Sequence, residues 1–223
     1  MENRIFVIGG GKAPESVRDH LLSLAGRARP KVLLVNTAGA EDPEATLRGY
    51  DAFSGRADVS RVVFFPWPRD DLREHVLGHD VILVGGGNTA NALAIWRVHG
   101  FDVILREAYE QGIVLAGASA GMICWFEAGV TDSFGPQLAG MRDGLGFLPG
   151  SACPHYDDEE LRRPTYRRLI DDEEFPAGYA ADSGVGLHFV DGELAGIVTA
   201  RESATGYRVE PGSERALPPT VLP

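Results

Sequence analysis

Three segments of the sequence carry groups that could do hydrolytic chemistry: Gly85–Thr89, Gly117–Gly121 and Cys153–Asp157. In the second segment, Ser119 stands between small residues directly after an apolar stretch. A tight turn from strand to helix would hold its hydroxyl clear of the backbone, as an activated serine nucleophile requires. Because small-residue turns also end many parallel strands, the turn alone does not distinguish a nucleophile from a plain structural turn.

The glycine-rich segment Gly85–Thr89 supplies candidate backbone donors. It follows an apolar run and opens a predicted helix, so its amides would emerge at the same sheet edge as Ser119. The amide of Gly86 or Gly87, together with that of Ala120, could hold an oxyanion during attack on a carbonyl. A turn that binds phosphate, or binds nothing, is the alternative interpretation.

His155 is the candidate general base. It follows Pro154 at the predicted end of a strand and precedes a charged helix, so its imidazole could project beside Ser119. The alternative is a hydrogen-bonded loop histidine with a structural role. The other histidines lie in or beside predicted surface helices, or in a late strand: His20, His75, His79, His99 and His188.

A carboxylate is needed to orient the imidazole and to stabilise its charged form. Asp132 is the first choice, because it lies in the loop after the predicted nucleophile helix. Glu127, Asp157 and Glu159 are the alternatives. Sequence spacing does not decide among these residues, since most carboxylates at such positions are solvated charges.

The strands that would position these groups are short apolar runs. Four runs predict strands buried on both faces: Ile5–Ile8, Val32–Val35, Val62–Phe65 and Val81–Val84. Amphipathic segments between them, such as Pro14–Ala25 and Pro43–Phe53, have apolar positions at helical spacing. This alternation predicts an α/β fold with a doubly wound, mostly parallel, flavodoxin-like sheet.

A further strand, Ile113–Ala116, is predicted after a helix at Phe101–Gln111 and leads into the Ser119 turn. Beyond Gly135 the sequence predicts a charged helix and antiparallel strands that close the sheet. These elements are a helix at Asp157–Asp172 and strands at Gly178–Ala180, Gly186–Val190, Leu194–Thr199 and Thr205–Val209. We expect the tail from Leu217 to be loosely held, and we interpret the Gly9–Lys12 turn as structural because it lacks the full phosphate-loop spacing.

The bulk properties narrow the class of protein. With 223 residues, 44% of them hydrophobic, the chain is predicted to form one domain, 1–223. Its apolar runs are too short to span a membrane, and its first residues do not resemble a signal peptide, so a cytoplasmic location is expected. A net charge of −11 argues against nucleic-acid binding. Two isolated cysteines, Cys124 and Cys153, indicate neither a disulfide framework nor a metal site.

The three segments together resemble the peptidase E family of serine peptidases. The residues that carry the resemblance are Gly85-Gly86-Gly87-Asn88-Thr89, Gly117-Ala118-Ser119-Ala120-Gly121-Met122 and Cys153-Pro154-His155-Tyr156-Asp157. The likeness extends from the first strand to the late strands. It implies a fold like that of the class I glutamine amidotransferases, with serine in place of their cysteine. The family includes aspartyl dipeptidases and, more distantly, cyanophycinases.

The resemblance also implies a reaction, namely hydrolysis of a dipeptide with an N-terminal aspartate by Ser119 and His155, without a cofactor or metal. Asp132 would be the third member of the catalytic group, and Glu127 or Glu159 a fourth. Arg163 matches an arginine that the family associates with aspartate preference, although a basic helix face explains it equally well. The site prediction also includes Asn88 and Thr89 as substrate-binding residues.

Two other functions remain open at this point. An α/β-hydrolase esterase has the same Ser, Asp, His order, although the separation of Ser119 and His155 is short and no lid insertion is present. A noncatalytic flavodoxin-like module could bind an anion at its glycine-rich loops. The sequence leaves open whether the chain acts as a monomer or as a homodimer.

Overall fold

The computed structural model describes residues 2–223, which form fourteen strands and seven α-helices. The strands are β1 (Arg4–Ile8), β2 (Lys31–Val35), β3 (Asp58–Val62), β4 (Val81–Val84), β5 (Val114–Ala118), β6 (Phe126–Thr131), β7 (Ala139–Met141), β8 (Leu148–Cys153), β9 (Gly178–Ala181), β10 (Gly186–Val190), β11 (Glu193–Thr199), β12 (Gly206–Glu210), β13 (Ser213–Leu217) and β14 (Thr220–Val221). The helices are α1 (Glu15–Ser23), α2 (Pro43–Ala52), α3 (Leu72–Leu77), α4 (Thr89–Val98), α5 (Phe101–Glu110), α6 (Ala120–Ile123) and α7 (Arg162–Asp171).

The larger sheet has the strand order β14-β11-β10-β1-β5-β4-β2-β3. The five strands from β1 to β3 in that order are parallel, and β10 joins β1 in the antiparallel sense. Ile5 and Val7 pack into the core beneath α4 and α5, whereas Phe6 and Ile8 pack into the core beneath α1. Successive side chains of a strand point to opposite faces, so the apolar run of β1 is explained by helices covering both faces. The predicted doubly wound α/β fold is confirmed.

A second sheet carries the late strands in the order β13-β12-β9-β8-β6-β7. The sequence pattern predicts one sheet closed by antiparallel strands, and only β10 and β11 follow that description. Strands β6, β8 and β9 are mutually parallel and pack with α7 around Tyr166 and Leu169. The sequence pattern predicts only the end of β8, before His155, and no strand at β6, because glycine, alanine and serine break their apolar runs.

Three local predictions need correction. Strand β3 covers Asp58–Val62 instead of Val62–Phe65. The chain leaves the sheet before Pro66, and a proline has no N–H group to donate to a neighbouring strand. The predicted helix after Ser119, α6, is a single turn and is followed by β6, so Asp132 comes after a strand instead of after a helix. The tail is held in place, since β14 pairs with β11 and the amide of Leu222 donates to the carbonyl of Thr199.

The carboxyl ends of strands from both sheets meet at one place. After β1, the carbonyl of Gly9 accepts a hydrogen bond from the amide of His155, at 2.6 Å. The amide of Tyr156 donates to Ala181 at the end of β9, and the amide of Ser119 donates to Ile8 at the end of β1. These backbone bonds bring the loops after β1, β5, β8 and β9 together. Within residues 2–223, no helix is long and apolar enough to cross a membrane.

Candidate active site

Ser119 occupies a backbone conformation that few side chains adopt. Its φ and ψ are 57° and −111°, between the end of β5 and the start of α6. A Cβ atom on Gly117 would overlap the backbone of Gly121, and one on Gly121 would overlap the carbonyl of Val84. Both glycines are therefore required by the close approach of strand and helix, and the half-buried serine is held at the apex of the turn.

His155 lies directly beside this serine. Its Nε2 is 3.0 Å from Oγ of Ser119, within hydrogen-bonding distance. The histidine backbone is left-handed, with φ of 56°, and its side chain is 15% exposed. The imidazole fills the space beside Gly10, where any Cβ atom would overlap the ring. The β1 loop, interpreted from sequence as a structural turn, thus forms a wall of the site.

The other ring nitrogen of His155 faces two polar side chains. Nδ1 is 3.2 Å from Oγ of Ser183, in a hydrogen bond, and 3.3 Å from Oδ1 of Asp158. The Ser183 hydroxyl donates to Oδ2 of Asp158 at 2.7 Å. Glu159 is farther away, with Oε1 at 3.7 Å from Nδ1. Asp158 is thus the carboxylate that comes nearest to the imidazole.

The structure does not bring Asp132 or Glu127 to His155. After β8 the chain turns towards β1 and β9, as the bonds to Gly9 and Ala181 show, and so away from the exposed Asp132 at the end of β6. Glu127 lies near the opposite, amino-terminal end of β6, where its carboxylate accepts the amide of Gly150 at 2.8 Å.

Asp157 and Glu159, the other carboxylates considered, support the loop rather than the imidazole. Asp157 accepts the amide of Ser183 and pairs with Arg201, each at 2.7 Å. Partial burial opposes its ionisation, but the Ser183 amide and the Arg201 guanidinium outweigh that effect and hold the Asp157 pKa below its usual range. Glu159 pairs with the buried Arg162 at 2.6 Å.

Gly86, one of the predicted oxyanion donors, lies beside Ser119. A Cβ atom on Gly86 would be 3.4 Å from Cβ of Ser119, so these two residues are in contact. Gly87 has φ of 131° and packs against Ala38. Within residues 2–223, the amides of Gly86, Gly87 and Ala120 have no hydrogen-bond acceptor, which leaves them available to a ligand.

Asn88 and Thr89 lie at the start of α4. Asn88 Oδ1 accepts the amide of Asn91 at 2.9 Å, as an N-cap does, and Nδ2 donates to the carbonyl of Ser133 at 2.9 Å. Thr89 is 1% exposed, and its hydroxyl has no hydrogen-bond partner among residues 2–223. Thr89 is the first residue of α4 and is buried, so solvent does not reach its hydroxyl.

Arg163 has partners within the protein. Its guanidinium pairs with Glu214, which also accepts the hydroxyl of Tyr156 at 2.6 Å. The guanidinium carbon lies 5.4 Å from the ring centroids of Tyr156 and Tyr207. Arg163 therefore joins α7 to β13, and a substrate carboxylate would compete with Glu214 for it.

The thiols offer no competing nucleophile. Cys124 and Cys153 are both buried and free, and burial raises the pKa of each thiol well above its usual range. Among residues 2–223, no group of three histidine, cysteine or acidic side chains is arranged to hold a metal ion.

Three residues beside His155 were not predicted from the sequence as part of the site: Ser183, Asp158 and Gly10. Ser183 had a detectable signal, since it follows a predicted strand, Gly178–Ala180, whose carboxyl end meets the same edge as Ser119. Asp158 stands in a run of four acids, 157–160, in which nothing in the sequence distinguishes one from another.

A serine hydroxyl hydrogen-bonded to an imidazole, at the carboxyl edge of a doubly wound sheet, is typical of α/β serine hydrolases. Comparison with known proteins narrows this class. The model of Peptidase family S51 matches residues 5–197. The chain belongs to this family and is a peptidase.

Individual proteins that are similar to this chain are also named as peptidases. The chain is 45% identical over 214 residues to the uncharacterized peptidase YgaJ of Bacillus subtilis (strain 168), covering 94% of this chain and 92% of the relative. A solved peptidase from an acI-B1 Actinobacterium matches with a TM-score of 0.72 at 16% identity, over 98% of this chain and 95% of that one. A peptidase E protein from Listeria monocytogenes EGD-e matches with a TM-score of 0.66 at 18% identity, over 87% of this chain and 97% of that one. At these identities the two structures show a shared fold.

Proposed function

We propose that this peptidase is serine-type and hydrolyses short peptides through an acyl-enzyme. The observation that carries the proposal is the distance of 3.0 Å between Oγ of Ser119 and Nε2 of His155. At that distance the imidazole can remove the hydroxyl proton as the oxygen attacks a peptide carbonyl.

Each step of the reaction has a residue to perform it. Nε2 of His155 takes the proton from Ser119, and the amides of Gly86 or Gly87 and Ala120 stabilise the oxyanion. The imidazolium then gives its proton to the leaving amine as the peptide bond breaks. A water molecule, deprotonated by the same nitrogen, hydrolyses the ester and releases Ser119.

Asp158 is our choice for the carboxylate that stabilises the imidazolium. Its Oδ1 is 3.3 Å from Nδ1 of His155, and its Oδ2 accepts the Ser183 hydroxyl. Asp158 is half exposed, and a carboxylate in this position can balance the charge that the ring gains. Asp132, the carboxylate implied by the resemblance to peptidase E, has no contact with the imidazole through which it could act.

A dipeptide is the substrate class that we propose. The resemblance to peptidase E supports it, and so does the charge of the site. Exposed acids at 157–160 directly follow His155, and in a dipeptide the ammonium group belongs to the same residue as the carbonyl under attack. These carboxylates suit that ammonium group electrostatically.

Preference for an N-terminal aspartate stays a prediction. Of the two adjacent arginines after His155, Arg162 pairs with Glu159 and Arg163 pairs with Glu214. Binding of a substrate aspartate by Arg163 would require it to exchange Glu214 for the ligand. Comparison of Asp-Leu with Ala-Leu in the wild type measures the preference directly.

A fluorophosphonate probe tests the mechanism. We expect stoichiometric labelling of Ser119 in the wild type and none in Ser119→Ala, together with release of free amino acids from dipeptides by the wild type alone. Absence of labelling in folded wild-type protein would overturn the serine mechanism. Hydrolysis of p-nitrophenyl acetate without dipeptide turnover would indicate an esterase instead.

A further inference from the structure

We infer that Ser183 is a positioning residue that sets the tautomer of His155 by bridging its Nδ1 to Asp158. The inference deepens the proposed function and rests on it for its catalytic consequence. The contacts themselves are properties of the folded chain and can be tested without a substrate.

The geometry favours a bridge over a direct bond. Nδ1 of His155 makes a hydrogen bond to Oγ of Ser183 at 3.2 Å, and Oγ in turn makes one to Oδ2 of Asp158 at 2.7 Å. The separation of 3.3 Å between Nδ1 and Oδ1 of Asp158 is an ion-pair distance without a hydrogen bond. The N–H of the ring is therefore directed at Ser183.

The donors and acceptors of this chain determine where the imidazole proton lies. An ionised carboxylate can only accept, so the single hydroxyl proton of Ser183 goes to Asp158. The hydroxyl oxygen then has only lone pairs to offer to His155, and Nδ1 must be the donor. In the neutral ring the proton thus sits on Nδ1, which leaves the lone pair of Nε2 directed at Ser119.

Two hydrogen bonds to the backbone of Ser183 hold this residue in place. Its amide donates to Oδ1 of Asp157 at 2.7 Å, and its carbonyl accepts from Nη2 of Arg201 at 2.7 Å. The same guanidinium nitrogen pairs with Oδ2 of Asp157. This closed set of contacts fixes the position of the hydroxyl, because Ser183 has little freedom to move away from the ring.

The test measures the tautomer of His155 by two-bond ¹H–¹⁵N correlation spectra of protein with labelled histidine, recorded at pH 8. The resonances are assigned by their loss in His155→Asn. In the wild type we expect the proton on Nδ1. In Ser183→Ala we expect a shift towards the tautomer with the proton on Nε2, and a kcat for dipeptides lower by about 100-fold, since the wrong tautomer in a serine protease costs about 10⁴-fold and Asp158 remains nearby.

Two variants serve as controls. Ser183→Thr keeps the hydroxyl, and Gly11 beside it has no side chain to obstruct the methyl group, so we expect the Nδ1 tautomer and most of kcat to return. Ser54→Ala makes the same chemical change at an exposed turn after α2, away from the site, and should match the wild type in both measurements.

The outcomes separate the two proposals. If the wild type turns over dipeptides and Ser183→Ala retains both its tautomer and its kcat, the bridge is overturned and the serine mechanism stands. If the wild type is inactive but the tautomer changes in Ser183→Ala and returns in Ser183→Thr, the bridge stands and the proposed function fails. A loss of kcat in Ser183→Ala that Ser183→Thr does not restore, with no change in tautomer, also overturns the bridge.

Discussion

The absence of a side chain at Gly10 provides the space in which the imidazole of His155 lies. Gly10 has φ of 110°, and a Cβ atom there would overlap Nε2 and Cε1 of the ring. The carbonyl of the preceding residue, Gly9, accepts the amide of His155. The loop after β1 therefore holds the base from two sides, although it contributes no functional side chain.

Gly10→Ala should displace the imidazole from Ser119. We expect kcat for dipeptides to fall by about 100-fold, because a misplacement of about 1 Å can cost that much. The matched control is Gly26→Ala, which has a similar left-handed backbone, with φ of 64°, but open space around the new methyl group. It should lose about 1 kcal/mol of stability and retain activity. Equal activity of the two variants would contradict the role of Gly10.

Ser119→Gly should be more stable than Ser119→Ala. Both variants lack the nucleophile, and we expect no dipeptide turnover from either. Alanine keeps the Cβ atom that makes the 57°, −111° conformation costly, whereas glycine adopts such conformations more readily. The difference in free energy of unfolding, measured with urea, should be about 1–2 kcal/mol in favour of glycine. A less stable glycine variant would show that the turn is not strained.

Arg163→Ala should act on stability more than on substrate choice. The variant removes the partner of Glu214, a side chain that is only 9% exposed, and we expect it to lower the free energy of unfolding by about 1–2 kcal/mol. The ratio of kcat/KM for Asp-Leu and Ala-Leu should stay unchanged. Arg167→Ala is the control, because this exposed residue of α7 has no ion-pair partner within residues 2–223. A selective loss of Asp-Leu turnover in Arg163→Ala would assign it the specificity role instead.

Asp182 should make stability depend on pH. Burial raises the pKa of this carboxyl, and Oδ1 has no hydrogen-bond partner within residues 2–223. An acid whose pKa is raised by folding is destabilising once ionised, so its cost is absent below the unfolded pKa of about 3.9 and complete above the raised folded pKa. Asp182→Asn should therefore gain stability relative to the wild type as pH rises from about 4 to 7.

Asp70→Asn provides the comparison for that experiment. Asp70 is exposed, so the same change there should leave the pH dependence of unfolding as in the wild type. If the stability of Asp182→Asn followed that of the wild type at every pH, the buried carboxyl would not be the source of the effect.

Thr89→Val should have little effect on stability or activity. The threonine hydroxyl is buried without a hydrogen-bond partner in the described chain, so an isosteric methyl group costs no bond. We expect stability unchanged or higher by up to about 1 kcal/mol, and unchanged kcat and KM. Thr89→Ala should instead lose about 1 kcal/mol through the missing methyl group. A rise in KM in Thr89→Val alone would show that the hydroxyl reaches the substrate.

The elements that rest on local chemistry can be predicted from the sequence alone. Apolar runs with helical segments between them predicted the parallel sheet, because a strand covered on both faces needs apolar side chains at consecutive positions. The small residues around Ser119 predicted its turn, since only a turn without bulky neighbours lets the strand and the helix approach so closely. His155 was recognisable because it follows a strand end and precedes a charged segment.

The groups that surround the imidazole are set by the tertiary fold. Asp132 is the first choice from the sequence and Asp158 is not among its alternatives, whereas the direction taken by the chain after β8 brings Asp158 to the imidazole. Ser183 lies 28 residues beyond His155 and reaches it because β8 and β9 are adjacent parallel strands. The partnership of Arg163 with Glu214 likewise depends on β13, which is distant in sequence. Strand pairing and ion pairing over such separations depend on packing of the whole chain, so a local pattern of residue types does not predict them.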